Sequence, residues 1–212
     1  MRWTLVIPLK PLARAKSRLA DTAADGLRPG LALAFAQDTV TAALACAAVL
    51  DVAVVTDDAL AGRELAALGA RIVADEPGGG LNAALAHGVA AVRSRTPEIA
   101  VAALNADLPA LRSAELGRVL DAAGEFPRAF LPDAAAIGTT LLAAGAGREL
   151  LPSFGTDSRS RHRASGAVEL RLDAVDSVRQ DVDTGDDLRA ALALGVGPRT
   201  AAAAARLLIP GQ

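Results

Sequence analysis

The chain has 212 residues and a formal net charge of −2, with an isoelectric point of about 5.7, so no general electrostatic attraction to nucleic acid or to an anionic membrane is expected. A content of 52% hydrophobic but only 2% aromatic residues predicts a globular core of aliphatic side chains, with alanine-rich helices that can approach a sheet closely. No segment reaches the roughly 18 strongly apolar residues that indicate a membrane span. The single cysteine, Cys46, has no partner for an internal disulfide, which favours a reducing, cytoplasmic setting.

The first third of the chain predicts strands that alternate with helices. This βαβαβ order is typical of a doubly wound sheet. Within the first helix, Asp38 and Thr39 are expected on the more hydrated face. The predicted strands lie at residues 3–9, 52–56 and 70–74, and the predicted helices at 31–48 and 63–68.

The rest of the chain predicts that the same architecture continues. No repeat, linker or change of composition indicates a second domain, so one domain is the simplest interpretation. The predicted elements are helices at 83–92 and 113–123, strands at 99–104, 129–132 and 168–172, a small-residue turn at 138–142 that feeds another strand, a late helix opened by residues 181–188, and an alanine tract at 201–205 that is either a last helix or a frayed end.

Basic residues follow the first predicted strand. Lys10, Arg14, Lys16 and Arg18 fall within nine positions. Ammonium and guanidinium groups in such a loop can hold a polyphosphate, assisted by backbone amides. The alternative is the solvated basic face of a surface helix, which is the usual role of a charge run. The position directly after a central strand favours phosphate binding.

One carboxylate, Asp107, follows the buried strand that ends near Asn105. In open α/β sheets the ligand crevice lies outside the carboxyl ends of the strands, so Asp107 is expected at its edge. Pro109 stiffens the backbone that carries this carboxylate, which suits a cation ligand. The alternative is that Asp107 caps the helix near Ser113 or fixes a turn, and the Asp-x-Pro motif by itself favours this alternative.

A second acidic segment contains Asp181 and Asp183 and precedes the late helix. If this segment faces the same crevice as Asp107, the carboxylates could hold a hard divalent cation, for which Mg²⁺ is the natural candidate. Such a cation beside a basic loop is the equipment of phosphoryl or nucleotidyl transfer, in which positioning and charge neutralisation do most of the catalysis.

Three further segments could complete a binding site. Residues 75–82 contain three consecutive glycines, which let a backbone approach a flat ligand, although most such runs are flexible connections. Hydroxyls and amides of the turn at 138–142 suit a small anionic group. Residues 154–163 mix hydroxyls with three arginines and form either a binding loop or a disordered surface loop. His87 has no second histidine nearby and is interpreted as an ordinary helical residue.

Taken together, these motifs resemble a known enzyme family. The order of the motifs covers nearly the whole chain, and the joint pattern is much more specific than any one motif. The family is that of the guanylyltransferases of coenzyme F420 biosynthesis, which use 2-phospho-L-lactate or phosphoenolpyruvate. The resemblance rests on Ile-Pro-Leu-Lys at 7–10, Ala-Lys-Ser-Arg-Leu at 15–19, Asn-Ala-Asp-Leu-Pro at 105–109, Phe-Gly-Thr-Asp-Ser at 154–158 and Asp-Val-Asp-Thr at 181–184.

The resemblance implies a single α/β domain over residues 1–212, with a glycosyltransferase-A-like nucleotidyltransferase fold and a mostly parallel mixed sheet flanked by helices. It also implies Mg²⁺ as cofactor and small molecules as partners, namely GTP and a phosphorylated three-carbon acid, with no nucleic acid and no membrane. The oligomeric state is left open, with a homodimer as one option.

The resemblance also implies roles for individual residues. Lys16, Asp107 and Asp181 would be catalytic, and Asp183 is an alternative to Asp181 as the second metal ligand. Lys10, Lys16 and Arg18 match the triphosphate-binding segment. Thr139, Gly155 and Ser158 match positions that hold the carboxylate and phosphate of the acceptor, and Thr56 with Pro77, Gly78 and Asn82 would lie near the base and ribose of GTP.

Two other functions remain open from the sequence. The same cation and phosphate residues would serve a nucleotidyltransferase for another small phosphorylated acceptor, such as 3-phosphoglycerate. A noncatalytic nucleotide-binding regulator could use the same sheet, although it would have little need for both acidic segments. The first loop is rich in proline and lysine where sugar nucleotidyltransferases have glycines, which disfavours a sugar phosphate as acceptor.

Overall fold

A seven-stranded sheet with strand order β3-β2-β1-β4-β6-β5-β7 forms the centre of the molecule. The computed structural model describes residues 1–14, 27–76 and 78–206. Within these residues, no helix has the length and apolar character needed to cross a membrane. The strands are β1 (Trp3–Pro8), β2 (Val49–Val55), β3 (Arg71–Val73), β4 (Ala100–Leu104), β5 (Arg128–Pro132), β6 (Thr139–Ala144) and β7 (Val168–Glu169).

Helices cover both faces of this sheet. A short 3-10 helix, Leu12–Arg14, follows β1. The α-helices are α1 (Arg28–Leu44), α2 (Ala59–Ala67), α3 (Leu81–Arg93), α4 (Ser113–Ala123), α5 (Ser158–Ala164), α6 (Asp176–Arg179), α7 (Gly185–Leu194) and α8 (Pro198–Ala205).

The direction of β6 sets the geometry of the sheet edge. Strands β1 to β4 are mutually parallel, whereas β6 runs antiparallel to both of its neighbours, β4 and β5. The start of β6 therefore lies at the same edge as the carboxyl ends of β1, β4 and β5. Ligands bind beyond the carboxyl ends of strands in open α/β sheets, so this edge is where a site is expected.

The central strands of the sheet are apolar, and helices bury both of their faces. All five residues of β4 are buried, as expected for a strand enclosed between helix layers. Side chains of α1 and α4 pack on one face and those of α3 on the other. Helix α3 approaches the sheet closely at Gly88, where a Cβ atom would lie 2.6 Å from Val55 Cγ2 and 2.7 Å from Val6 Cγ1.

The predicted α/β fold with a mostly parallel mixed sheet is confirmed. Helix α4 has the bounds predicted for it, and the alanine tract at 201–205 lies in α8. The predicted strand at 168–172 has only two residues in β7, and residues 154–163, predicted as a loop, contain the start of α5. Helix α6 was not predicted, because a four-residue helix shows no periodicity in sequence.

The prediction that Asp38 and Thr39 lie on a hydrated face was wrong. Asp38 is 5% and Thr39 0% exposed. Helix α8 packs on α1, and the Asp38 carboxylate accepts hydrogen bonds from the backbone N–H groups of Arg199 (3.3 Å) and Thr200 (2.7 Å). The first N–H groups of a helix have no acceptor within the helix. Asp38 supplies this acceptor for α8 from a position about 160 residues earlier in the chain.

Candidate active site

A cleft of about 660 Å³ opens at the sheet edge where β1, β4 and β5 end and β6 begins. Parts of the first loop, the turn after β4, the start of β6, the loop before α5 and the acidic segment before α7 form its walls. The lining contains these predicted site residues: Lys10, Asp107, Thr139, Gly155, Ser158, Asp181 and Asp183.

The turn that carries Asp107 is held from three directions. The Leu108 N–H donates to Thr39 Oγ1 of α1 (3.0 Å), inside the protein. The Asp107 carbonyl accepts from Val182 N (3.1 Å), and the Pro109 carbonyl accepts from Gly197 N (2.9 Å). Because these bonds fix the backbone, the Asp107 carboxylate is presented to the cleft on a rigid turn.

The structure contradicts one alternative for Asp107. The N-cap residue of helix α4 is Arg112, and its side chain makes no capping hydrogen bond. Asp107 is therefore not the N-cap of this helix, and its role as a cation ligand or in fixing the turn stays a prediction.

The acidic segment reaches the cleft beside Asp107. Asn105 Nδ2 donates to Asp181 Oδ2 (3.3 Å), which joins the end of β4 to this segment. Asp183 is exposed, and its N–H donates to Asp187 Oδ2 (3.1 Å). Asp187 also completes a capping box with Thr184 at the start of α7. The cap of α7 therefore orients the segment.

The carboxylates suit a cation that is shared with a phosphate ligand. Among the described residues, no group of three or more His, Cys, Asp or Glu side chains could hold a metal ion. Mg²⁺ usually binds one or two carboxylates and completes its shell with water and substrate phosphates. Asp107 and Asp181, which both line the cleft, match that donor set.

The first loop brings positive charge to the same cleft as the acidic residues. Lys10 and Arg14 line the cleft and are exposed. The loop is anchored where Leu12 N–H donates to Asp58 Oδ2 (2.9 Å). Backbone hydrogen bonds, first from Ala61 and then from Leu12, hold the pKa of Asp58 below its usual value. The predicted phosphate ligands Lys16 and Arg18 lie outside the described residues.

Three residues predicted near the base and ribose, Thr56, Gly78 and Asn82, are not among the described residues that line the cleft. Thr56 is buried, and its hydroxyl accepts from Asp58 N (3.2 Å). The Asn82 side chain donates to Phe154 O (3.1 Å) and accepts from Phe154 N (2.8 Å). Gly78 is exposed, and Pro77 is outside the described residues. The ligand roles of these residues stay predictions.

One of the predicted acceptor residues, Thr139, contacts a histidine that the sequence analysis did not select. Thr139 and Ser158 are buried, whereas Gly155 is exposed and has a φ of +110°. Thr139 Oγ1 lies 2.9 Å from His162 Nδ1. Ser158 and His162 are four residues apart on α5, and this spacing would have indicated a shared buried face had the helix been predicted.

The arginines of residues 154–163 make structural contacts. Arg159 donates to Glu169 through Nε (3.0 Å) and through its terminal nitrogen (2.7 Å), and Arg163 also pairs with Glu169. The Arg159 hydrogen bond is the largest cause that lowers the pKa of Glu169 to about 2. Arg161 donates to the carbonyl of Thr156. These contacts connect α5 to β7 and shape the loop that lines the cleft.

Comparison with known proteins agrees with this geometry. A family model described as "Guanylyl transferase CofC like" matches residues 3–203. The chain belongs to this family. It is 85% identical over 211 residues to the phosphoenolpyruvate guanylyltransferase of Streptomyces avermitilis, covering 100% of this chain and 98% of that protein.

Further relatives support the family and the fold. The phosphoenolpyruvate guanylyltransferase of Streptomyces coelicolor is 82% identical over 212 residues, with 100% of both chains covered. The fold is similar to that of a nucleotidyl transferase from Methanothermobacter thermautotroptrophicus, with a TM-score of 0.67 at 23% identity over 91% of this chain and 97% of that chain. The predicted family and the predicted nucleotidyltransferase fold are both confirmed.

Proposed function

We propose that the chain transfers GMP from GTP to the phosphate of phosphoenolpyruvate or 2-phospho-L-lactate, with release of pyrophosphate, in coenzyme F420 biosynthesis. The observation that carries this proposal is the single cleft lined by Lys10, Asp107, Asp181 and Thr139. The names of the two Streptomyces relatives support phosphoenolpyruvate as the acceptor. We place the reaction in the cytoplasm, where the buried free thiol of Cys46 stays reduced.

The reaction needs positioning more than activation of a nucleophile. An oxygen of the acceptor's phosphate forms a bond to the α-phosphorus of GTP. The bond from that phosphorus to the oxygen bridging to the β-phosphate breaks, and pyrophosphate leaves with the electron pair. The attacking phosphate is already anionic at neutral pH, so no serine, cysteine or histidine nucleophile is required. The protein has to bring two polyanions together in line and offset their repulsion.

In this proposal the basic loop binds the triphosphate, and the carboxylates hold the cation. Lys10, Lys16 and Arg18 would bind the triphosphate, and Lys16 would also be a catalytic residue. Asp107 and Asp181 would hold Mg²⁺, which when bound neutralises phosphate charge and orients the reacting groups. Asp181 is preferred to Asp183 because Asn105 ties it to the end of β4, whereas Asp183 lies further out and is exposed.

The remaining predicted residues would contact the two organic parts of the substrates. Thr139, Gly155 and Ser158 would bind the acceptor, because they line the same cleft as Asp107 and Asp181. The base and ribose of GTP would lie towards Leu81, which lines the cleft at the start of α3. Pro77, Gly78 and Asn82 flank Leu81 in sequence, and Thr56 directly follows β2.

The proposal is tested by pyrophosphate release from the purified protein with GTP and Mg²⁺. Phosphoenolpyruvate, 2-phospho-L-lactate and 3-phosphoglycerate serve as parallel acceptors, and the mass of each product is measured. We expect a guanosine diphosphate conjugate with phosphoenolpyruvate or 2-phospho-L-lactate. Product with 3-phosphoglycerate alone would change the acceptor, and no product with any of the three would contradict guanylyl transfer.

A further inference from the structure

His162 connects the predicted acceptor site to the interior of the protein. Its side chain is 0% exposed. Nδ1 lies 2.9 Å from Thr139 Oγ1, and Nε2 accepts a hydrogen bond from the Ser153 backbone N–H (3.0 Å). Thr139 lines the cleft, whereas His162 lies behind it. The imidazole therefore contacts a cleft-lining residue without lining the cleft itself.

The two partners determine which ring nitrogen carries the proton. A backbone N–H can only donate, so Nε2 must be unprotonated where it meets Ser153. Burial, together with the nearby positive charges of Arg128 and Arg161, lowers the pKa of His162 to about 4. The ring is therefore neutral near pH 7, and its single proton is on Nδ1. Nδ1–H then donates to Thr139 Oγ1.

This arrangement leaves the Thr139 hydroxyl with one defined role. Its oxygen accepts from His162, so its own proton is available for a different partner. Because the side chain lines the cleft, that partner is a cleft ligand. A hydroxyl with this orientation donates to an oxyanion and needs no rearrangement when the oxyanion binds.

Aromatic packing fixes the ring in this position. The His162 ring centroid lies 4.9 Å from that of Phe154 with an edge-on angle of 73°, and 5.8 Å from that of Phe130. Phe130 is in β5, and Phe154 belongs to the loop that lines the cleft. With both nitrogens bonded and two aromatic contacts, the imidazole has one orientation.

We propose that His162 is a positioning residue that holds the Thr139 hydroxyl as a hydrogen-bond donor to an oxyanion of the acceptor. His162 acts through Thr139 and through the Ser153 backbone, which leads into the loop of Gly155 and Ser158. This inference deepens the proposed function and rests on it for the identity of the acceptor. The arrangement of the ring itself can be tested in the free protein.

Nuclear magnetic resonance of the protein labelled with ¹⁵N-histidine tests the ring directly. The chain has two histidines, so His87→Gln assigns the remaining signal to His162. We expect ¹⁵N shifts of a neutral ring with protonated Nδ1 and unprotonated Nε2 at pH 7. A ring protonated on Nε2, or on both nitrogens, would overturn the proposal whatever the activity of the protein.

Two substitutions separate the functions of the two ring nitrogens. In His162→Asn the amide nitrogen can take the place of Nδ1, whereas in His162→Gln the amide oxygen can take the place of Nε2. We expect His162→Gln to raise the KM for the acceptor about tenfold with the KM for GTP unchanged, the effect of one lost hydrogen bond to a charged ligand. His162→Asn should keep the acceptor KM within about threefold while lowering thermal stability, because the Ser153 N–H loses its acceptor.

A double-mutant cycle with Thr139→Val shows whether His162 acts through the hydroxyl. Valine has the same shape as threonine but no hydroxyl. We expect Thr139→Val to raise the acceptor KM, and His162→Gln to add less than about twofold in that background, because coupled residues are not additive. Two results would overturn the role of His162. One is an equal rise of the acceptor KM in His162→Asn and His162→Gln, and the other is that the effects of Thr139→Val and His162→Gln on this KM multiply in the double mutant. A wild-type protein that is inactive with all three acceptors would instead contradict the proposed function.

Discussion

At the scale of single residues, the carboxylates at the end of β4 and before α7 make the sharpest prediction. Asn at position 107 or 181 keeps the size of the side chain but removes the charge that would hold Mg²⁺. We expect Asp107→Asn and Asp181→Asn each to lower kcat for pyrophosphate release by about 10²-fold or more. In other enzymes, removal of one group that stabilises transition-state charge has an effect of this size. The measurement is steady-state kinetics at saturating Mg²⁺.

Asp183→Asn is the matched control for these two substitutions. Asp183 belongs to the same segment and lines the same cleft, but it is exposed. We expect its kcat to stay within about fivefold of wild type, as is usual for an exposed charge that contacts neither metal nor substrate. Loss of activity in Asp183→Asn with retention in Asp181→Asn would exchange the two roles. Full activity of folded Asp107→Asn would remove the metal assignment.

Thr39 provides a prediction about the support of the Asp107 turn. Its hydroxyl donates to Phe35 O (2.8 Å) and accepts from Leu108 N (3.0 Å) in the interior. Thr39→Val leaves the Leu108 N–H without its acceptor, and we expect the free energy of unfolding to fall by about 1–3 kcal/mol. Urea denaturation measures the change. Thr41 lies two residues later, on the exposed side of the same helix. Thr41→Val should change the free energy of unfolding by less than about 0.5 kcal/mol.

At the scale of secondary-structure elements, the close contact of α3 with the sheet is the feature to test. A Cβ atom at Gly88 would meet Val55 and Val6 at 2.6 and 2.7 Å, and branched valine side chains in a packed core cannot move away easily. We expect Gly88→Ala to lower the free energy of unfolding by about 1–3 kcal/mol, measured by urea denaturation.

Gly62→Ala is the control for helix propensity. Gly62 lies inside α2, where a Cβ atom would be 3.7 Å from Ile72 Cγ2, an ordinary contact. Alanine there should raise the free energy of unfolding by about 0.5–1 kcal/mol, because it restricts the unfolded chain without strain in the folded state. If both substitutions stabilise the protein, the close approach of α3 does not limit residue size at position 88.

The sequence predicted those elements whose signal is local. Short apolar runs such as that of β4 indicate buried strands, and the pattern of residues 113–123 indicates α4 with its observed bounds. The antiparallel direction of β6 could not be predicted locally, because the sequence of one strand does not determine whether it pairs parallel or antiparallel with its neighbours. Helix α5 was missed because it has seven residues and contacts such as Arg159 with Glu169 hold it from outside.

The residues of the candidate site likewise fall into those with a local sequence signal and those whose partners are distant in sequence. The cleft positions of Asp107, Asp181 and Thr139 could be predicted because Asp107 and Asp181 belong to sequence motifs and Thr139 begins a strand. His162 could not, because its role depends on Thr139 and Ser153, which approach it only in the folded chain. Thr39 was placed on the wrong face for a related reason, since its partner Leu108 is 69 residues away.

At the scale of the whole molecule, buried and paired ionisable groups predict loss of stability in acid. The pKa of His162 is lowered from 6.5 to about 4 in the folded protein, so between these values the unfolded chain binds a proton that the folded chain does not. The pKa of Glu169 is lowered from 4.5 to about 2, which extends the same effect to lower pH. The free energy of unfolding therefore falls as the pH decreases from 6.5.

The contribution of His162 can be isolated by substitution. One extra proton on the unfolded chain gives a slope of up to about 1.4 kcal/mol per pH unit. We expect urea denaturation of wild type between pH 6.5 and 4.5 to show a steeper decline than His162→Gln, whose side chain does not titrate. Parallel declines for the two proteins would mean that His162 titrates alike in the folded and unfolded states.

The reversed strand β6 also bears on how this fold can change over evolutionary time. Asp107 belongs to the parallel half of the sheet and Thr139 to the strand beside it that runs the opposite way, and the two halves are joined where Asn105 N–H donates to Thr140 O (3.0 Å). In the proposed reaction, triphosphate binding by the first loop and cation binding by Asp107 would be inherited with the first half, whereas Asp181 follows the second half in the chain. Acceptor choice would be inherited with the second. If Thr139 and α5 bind the acceptor as proposed, mutations around them would alter which small acid is accepted while Asp107 after β4 keeps its place.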